Sequence, residues 1–95
     1  MGIIVSYKLL YHPHVKEKDL HRLNKTMKKR IRAAIENRLM VDPVKYGEPL
    51  KRTLKGYRKL RVGDFRIVYK IEQDNILIFG ICHRKDIYQK AESRI

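Results

Sequence analysis

The sequence predicts an α+β sandwich, with helices on one side of a sheet whose last three strands are antiparallel. Three observations carry that expectation. A β-rich start breaks at Pro13, apolar residues recur at helical spacing between Met27 and Leu39, and two alternating runs flank Gly63-Asp64 with a third run after them. Ninety-five residues make one domain, 1–95, large enough for a single core but not for two.

Residues 3–11 read as the first strand, ended by Pro13. Over 14–23, Val15, Leu20 and Leu23 give a short helix, and Asn24 offers an N-cap for a longer one. In that second helix Met27, Ile31, Ala34, Ile35 and Leu39 form the apolar stripe, with Lys25, Lys28, Lys29, Arg32 and Glu36 largely on the other side. Together the two make a helical hairpin. Asp42-Pro43 stops it, because the residue before proline disfavours helical dihedrals. Residues 44–55, with Gly47, Pro49 and the nearby Gly56, read as a connection.

A three-stranded antiparallel meander follows. Gly63-Asp64 as a two-residue turn pairs Val62 with Phe65, Arg61 with Arg66 and Leu60 with Ile67. After the turn residues Gln73, Asp74 and Asn75, a third strand covers 76–83, and 84–93 is a short C-terminal helix or tail. The meander concentrates charge. Lys59, Arg61 and Arg66 share one face, although like charges directly opposite each other destabilise a sheet. A two-residue loop at Asp74-Asn75 sets Arg66 opposite His83, and a four-residue loop keeps His83 on that face; only an odd-length loop flips it. Val68, Phe79 and Ile81 lie beside these cations. Leu60, Ile67, Tyr69, Ile71, Ile78 and Cys82 form the opposite, core-facing side.

Twenty-three Lys and Arg against ten Asp and Glu give a net charge of +13, which calls for a polyanionic partner, nucleic acid first and an acidic protein second. No run has the length of a membrane span, and Lys8 arrives too early for a signal-peptide core, so the chain is expected in the cytoplasm with no membrane partner. The lone Cys82 excludes an internal disulfide and a multi-thiolate metal site, and reads as a small buried hydrophobe. His12 and His14 flank Pro13 without acidic or thiol neighbours, so no metal or other cofactor is called for. Phosphate-binding glycine loops and nucleophile elbows are absent from the sequence.

The cationic face suits one chemistry. Arginine stays charged and holds phosphate, so Arg61 and Arg66 can stabilise added charge on it. An imidazole titrates near neutrality, so His83 can accept or donate a proton. The Tyr88 phenol can receive a stacked base or anchor the C-terminal segment on the sheet. RNA cleavage by its own 2′-hydroxyl needs a base, an acid and cations around phosphorus, and requires no metal. Lys59 and Arg61, taken singly, are equally ordinary solvated sheet positions.

The connection Asp42-Pro43 with Gly47-Glu48-Pro49-Leu50-Lys51, the hairpin Leu60-Arg61-Val62-Gly63-Asp64-Phe65-Arg66-Ile67-Val68-Tyr69 and the ending His83-Arg84-Lys85-Asp86-Ile87-Tyr88 resemble the RelE/ParE toxin superfamily, in particular its RelE-like branch. The resemblance spans nearly the whole chain. It implies the toxin of a type II toxin–antitoxin pair, a ribosome-dependent mRNA interferase that cuts in the A site and leaves a 2′,3′-cyclic phosphate. By position, Arg66 resembles the family's phosphate-holding arginine, Lys59 a strand lysine that is base or charge stabiliser, Arg84 an acid or charge stabiliser, and Tyr88 the tyrosine that stacks on the mRNA base. His83 is similar to a histidine that some branches use as base or acid, so either His83 or Lys59 takes the proton. Arg61, Arg58, Lys51, Arg52, Lys28, Lys29 and Arg32 complete an RNA-binding surface by charge. The implied partners are an acidic antitoxin, the ribosome with its mRNA, and operator DNA reached only through the antitoxin complex. ParE-like relatives that inhibit DNA gyrase are the alternative, together with an inactive member that only binds antitoxin or RNA.

Overall fold

The computed structural model describes residues 7–95. Residues 3–6 of the expected first strand lie outside the described residues. The five strands β1 (Lys8–Tyr11), β2 (Glu48–Pro49), β3 (Arg58–Val62), β4 (Phe65–Glu72) and β5 (Asn75–His83) form one sheet in the order β1-β5-β4-β3-β2. β1 runs parallel to β5, and the other pairs are antiparallel. The α+β class and the meander are as the sequence predicts. The two-residue β2 arises inside the expected connection.

Between β1 and β2 the chain is helical. A wide π-wound turn over Val15–Asp19 and a 3₁₀ turn over Leu20–Arg22 precede α1 (Lys25–Ala34), which widens again over Ile35–Leu39. Asn24 caps α1, its side-chain oxygen accepting from the Met27 amide at 2.8 Å. Asp42 caps the short α2 (Pro43–Tyr46) by accepting from the Lys45 amide at 3.1 Å, with Pro43 at the first helical position where a missing N–H costs nothing. Ile31, Ala34, Ile35 and Leu39 of the helical layer pack on Leu60, Val62, Ile67, Tyr69, Ile76, Ile78 and Ile81 of the sheet. Each aliphatic side chain so buried contributes about 1.5–3 kcal/mol.

The opposite face has a second core. The C-terminal segment is a helix, α3 (Ile87–Glu92), and with a 3₁₀ turn at Arg52–Leu54 it buries Leu50, Leu54, Val68, Phe79, Cys82, Ile87 and Ala91. The helices therefore cover both faces of the sheet, not one side as the sequence pattern suggests, because Ile87 and Ala91 of α3 bury the second face. Cys82 is buried there as expected, and burial pushes its thiol pKa up to about 11.

The β3–β4 register matches the sequence reading pair for pair: Val62 with Phe65, Arg61 with Arg66, Leu60 with Ile67. Gly63 takes φ +59°, the conformation a tight primed turn requires at its first position. The β4–β5 register differs. Its turn is Gln73 and Asp74, with Glu72 paired to Asn75, and a bulge at Phe79 adds one residue to β5 opposite the step from Val68 to Tyr69. Arg66 consequently faces Cys82, and His83 faces Phe65. An even turn length preserves the faces, but a bulge flips everything beyond it. The expected grouping of His83 and Ile81 with Arg66 is thus corrected: Ile81 belongs to the helical-layer core and Cys82 to the α3 core.

The bulge is chemically satisfied. Asp19, 1% exposed, reaches across the sheet so that its Oδ2 accepts from the Ile81 amide at 2.9 Å and from Arg94 Nη1 at 2.6 Å, while Oδ1 accepts from Arg94 Nη2 at 2.6 Å. Arg94 Nη1 also donates to the Phe79 carbonyl at 3.2 Å. One bidentate ion pair thereby serves the backbone groups on both sides of Gly80. A Cβ at Gly80 would stand 3.2 Å from the Arg94 guanidinium.

Candidate functional site

The site begins with the connection after α1. Tyr69, fully buried in β4, donates from its phenol to the Pro43 carbonyl at 2.5 Å, and its ring fills the space where a side chain at Gly47 would stand. Burial raises the Tyr69 pKa, with the neighbouring Arg58 guanidinium opposing. Arg58 Nη2 donates at 2.7 Å to both the Val44 and the Gly47 carbonyls. These bonds clamp residues 43–47 against β3 and β4 and set Tyr46 and Glu48 beside the sheet. Arg58, expected among the RNA contacts, is occupied by this clamp.

The clamped connection closes one wall of a cavity of ≈ 260 Å³. Lys59, Arg61 and Arg66 come from the hairpin, Tyr46 and Glu48 from the connection, and Arg38 from the end of the helical layer. Glu48 pairs across strands with Lys59. Because β2 holds two residues, β3 beyond Lys59 has no partner strand on that side. The half-buried Arg66 is aimed by backbone, its Nη1 donating to the Gly63 carbonyl at 3.0 Å and the Phe65 carbonyl at 2.8 Å. Its remaining N–H groups are left for a ligand. Among the described residues the recorded ion pair is Asp19 with Arg94, so no carboxylate lies within 4.0 Å of the cations in this cavity. Such a pocket is ready-made for a phosphate, with one carboxylate and one phenol at its rim.

The structure thus brings together Lys59, Arg61 and Arg66 of the sequence-predicted set. It adds Glu48, Tyr46 and Arg38, which no sequence pattern singles out as site residues. His83 lies at the end of β5, against Phe65 with ring centroids 5.8 Å apart, and its Nδ1 accepts from the Lys85 amide at 3.3 Å. That leaves Nε2 for other work. The Arg84 amide donates to the Asp64 carbonyl at 2.8 Å, which ties the end of β5 to the same turn that holds Arg66. Tyr88 sits on α3, 40% exposed and outside the cavity.

The remaining predicted contacts spread over the surface. Lys51 and Arg52 are exposed in the segment over the α3 face, where Thr53 donates to Glu92. Lys28 and Arg32 border a separate groove lined by Leu9, Tyr11, Leu20 and Ile31, while Lys29 is exposed on α1. The His12 ring packs edge-on to Phe79 at 5.2 Å and edge-on to His14 at 4.9 Å. His12 Nδ1 accepts from the His14 amide at 3.1 Å, and burial lowers its pKa below 6.5, with His14 adding to the effect. Among the described residues no His, Cys, Asp or Glu group has the makings of a metal site, and no helix is long and apolar enough to cross a membrane.

Comparison with known proteins places the fold and the sequence together. The family model for the ParE toxin of the type II toxin–antitoxin system parDE matches residues 9–88. Toxin RelG of Mycobacterium tuberculosis is 31% identical over 75 residues, covering 77% of this chain and 86% of that protein. In the RelBE2 toxin–antitoxin complex of Mycobacterium tuberculosis, one chain superimposes with a TM-score of 0.77 at 26% identity, covering 90% of this chain and all of that one. The RelB–RelE antitoxin–toxin complex of Methanococcus jannaschii gives a TM-score of 0.65 at 28% identity, over 83% of this chain and 94% of that one. With a family match over most of its length and the same five-stranded α+β fold, the chain belongs to the RelE/ParE superfamily of type II toxin–antitoxin toxins.

Proposed function

We propose that this toxin is a metal-independent endoribonuclease that cleaves mRNA in the ribosomal A site and so blocks translation. The observation that carries the reading is the cavity where Lys59, Arg61 and Arg66 converge with no ion-pair partner beside a carboxylate and a phenol. In this reading Arg66 and Arg61 hold the scissile phosphate. Glu48 accepts the proton of the attacking 2′-hydroxyl, a role suited to an ionised carboxylate in reach of the phosphate site. Lys59 and Arg84 offset the charge that builds on the pentacoordinate phosphorus. The departing 5′-oxygen takes its proton from the Lys59 ammonium in the same cavity, because the bulge carries His83 to the other face of the sheet, and the products are a 2′,3′-cyclic phosphate and a 5′-hydroxyl. Tyr88 offers its exposed ring to the mRNA base.

The antitoxin of the pair is an acidic protein that lays a segment over the basic surface and folds as it binds, and the two together engage operator DNA. Primer extension on programmed ribosomes tests the nuclease reading. Cleavage within A-site codons is expected for the wild type and not for Arg66→Ala. The ParE description of the matching family favours a second reading, inhibition of DNA gyrase. Intact mRNA alongside blocked gyrase supercoiling would decide for it. Neither effect would mark a member that only binds its antitoxin or RNA.

A further inference from the structure

A second cavity continues the first. It has a volume of ≈ 370 Å³ and is lined by Arg30, Ala33, Asn37, Arg38, Arg61 and Gly63 among others. Arg38 and Arg61 line both cavities, so the two share a wall and form one groove along the unpartnered end of β3. Arg30, Ala33, Asn37 and Arg38 sit at the spacing that puts residues on one face of a helix. The Arg30 guanidinium lies against the hairpin turn because Gly63 has no side chain: a Cβ there would stand 3.0–3.3 Å from its atoms. Gly63 therefore both forms the turn and seats an arginine.

No carboxylate lines this second cavity. Among the described residues Arg30, Arg38 and Arg61 form no ion pair within 4.0 Å, and none is recorded donating a side-chain hydrogen bond to the chain. Three exposed guanidinium groups around one groove repel one another unless an anion lies between them. The shape of the floor says which anion. Small groups at Ala33 and Gly63 leave room for a backbone, and no aromatic ring is present on which a base could stack. The groove on the other side of α1, with Leu9, Tyr11, Leu20, Ile31 and Ile35, has the apolar seats that a partner helix needs, and this one does not.

We propose that the Arg30–Arg38–Arg61 groove binds the phosphodiester backbone of single-stranded RNA where the strand leaves the candidate site, without regard to base. The identity of the ligand rests on the nuclease reading above. The groove itself is tested by binding alone, with 2′-O-methyl RNA, which lacks the nucleophile and cannot be cut. Anisotropy with oligonucleotides of four and nine nucleotides should show the longer binding more tightly to the wild type. Arg30→Ala should weaken the longer one by about three- to tenfold and flatten its log affinity–log salt slope by about 0.7, the share of one phosphate contact. The tetranucleotide should be unaffected, and Arg30→Lys should keep most of the affinity. Equal binding of the nonanucleotide by wild type and Arg30→Ala overturns the proposal, as does an equal loss for both lengths. A loss in Arg30→Ala of affinity for a polyglutamate peptide but not for RNA also overturns it and assigns the groove to an acidic protein. Arg66→Ala separates the two readings. If it leaves tetranucleotide binding intact, the candidate site fails on its own account, while the length-dependent loss in Arg30→Ala still stands for the groove.

Discussion

Gly47 carries no side chain because Tyr69 occupies the space, and that contact decides where Glu48 stands. A methyl group at position 47 would overlap the Tyr69 phenol, whose hydrogen bond to Pro43 cannot be kept if the ring moves. Gly47→Ala should therefore cost at least the 1–3 kcal/mol typical of overpacking, about 4–8 °C in Tm for each kcal/mol, read by thermal unfolding. It should also lower RNA cleavage more than its loss of fold explains, since Glu48 is the next residue. Glu48→Gln keeps the shape and removes the anion. With unchanged Tm, it should reduce single-turnover cleavage by about a hundredfold or more, the scale of a lost proton acceptor. Retained full activity would remove Glu48 from the mechanism. Arg66 stands out in the sequence as a candidate phosphate holder because apolar residues flank it in mid-hairpin. Glu48 does not stand out as a candidate, since one carboxylate in a Pro- and Gly-containing connection looks like any solvated loop charge until the clamp by Arg58 is seen.

Among elements, β5 is where pattern reading and structure part. Its apolar run, 76 to 82, is buried on both faces, so alternation gives no clue to register. The bulge at Phe79 then inverts the faces of every residue after it, and His83 ends up beside Phe65. Holding the bulge falls to Asp19, from the helical turn, and Arg94, near the C-terminus, 75 residues apart. Asp19→Ala leaves a buried guanidinium unpaired and the Ile81 amide without its acceptor. The expected cost is about 3–5 kcal/mol, measured by denaturant unfolding. A loss below about 1 kcal/mol would mean that water replaces the carboxylate there. By contrast α1 announced itself in every respect: cap, stripe and stop all stand where the sequence has Asn24, Met27 to Leu39, and Asp42-Pro43.

For the molecule as a whole, charge and pH act through different groups. The unpaired arginines make affinity for a polyanion fall with salt, whereas His12 ties stability to pH. Its folded pKa lies below the ordinary histidine value of 6.5 because the ring is buried and next to His14. The folded state thus binds fewer protons than the unfolded one. Its contribution is complete above pH 6.5 and is lost as pH falls toward the folded pKa. Tm should drop by a few degrees between pH 7 and pH 5.5, and His12→Gln should flatten that limb. An identical drop in the variant would move the cause to other groups.

Composition and local pattern determined the class, the order of strands and helices, the β3–β4 register and the cationic hairpin, because each rests on near neighbours: a turn glycine, a cap, a period of two or three to four residues. Tertiary structure alone decided that α3 covers the second face, that a bulge turns His83 away from Arg66, and that Glu48, Tyr46, Arg30 and Arg38 meet the hairpin cations. Those facts depend on contacts between segments far apart in sequence, and on backbone groups at positions 79 to 81 that the carboxylate and guanidinium of Asp19 and Arg94 satisfy.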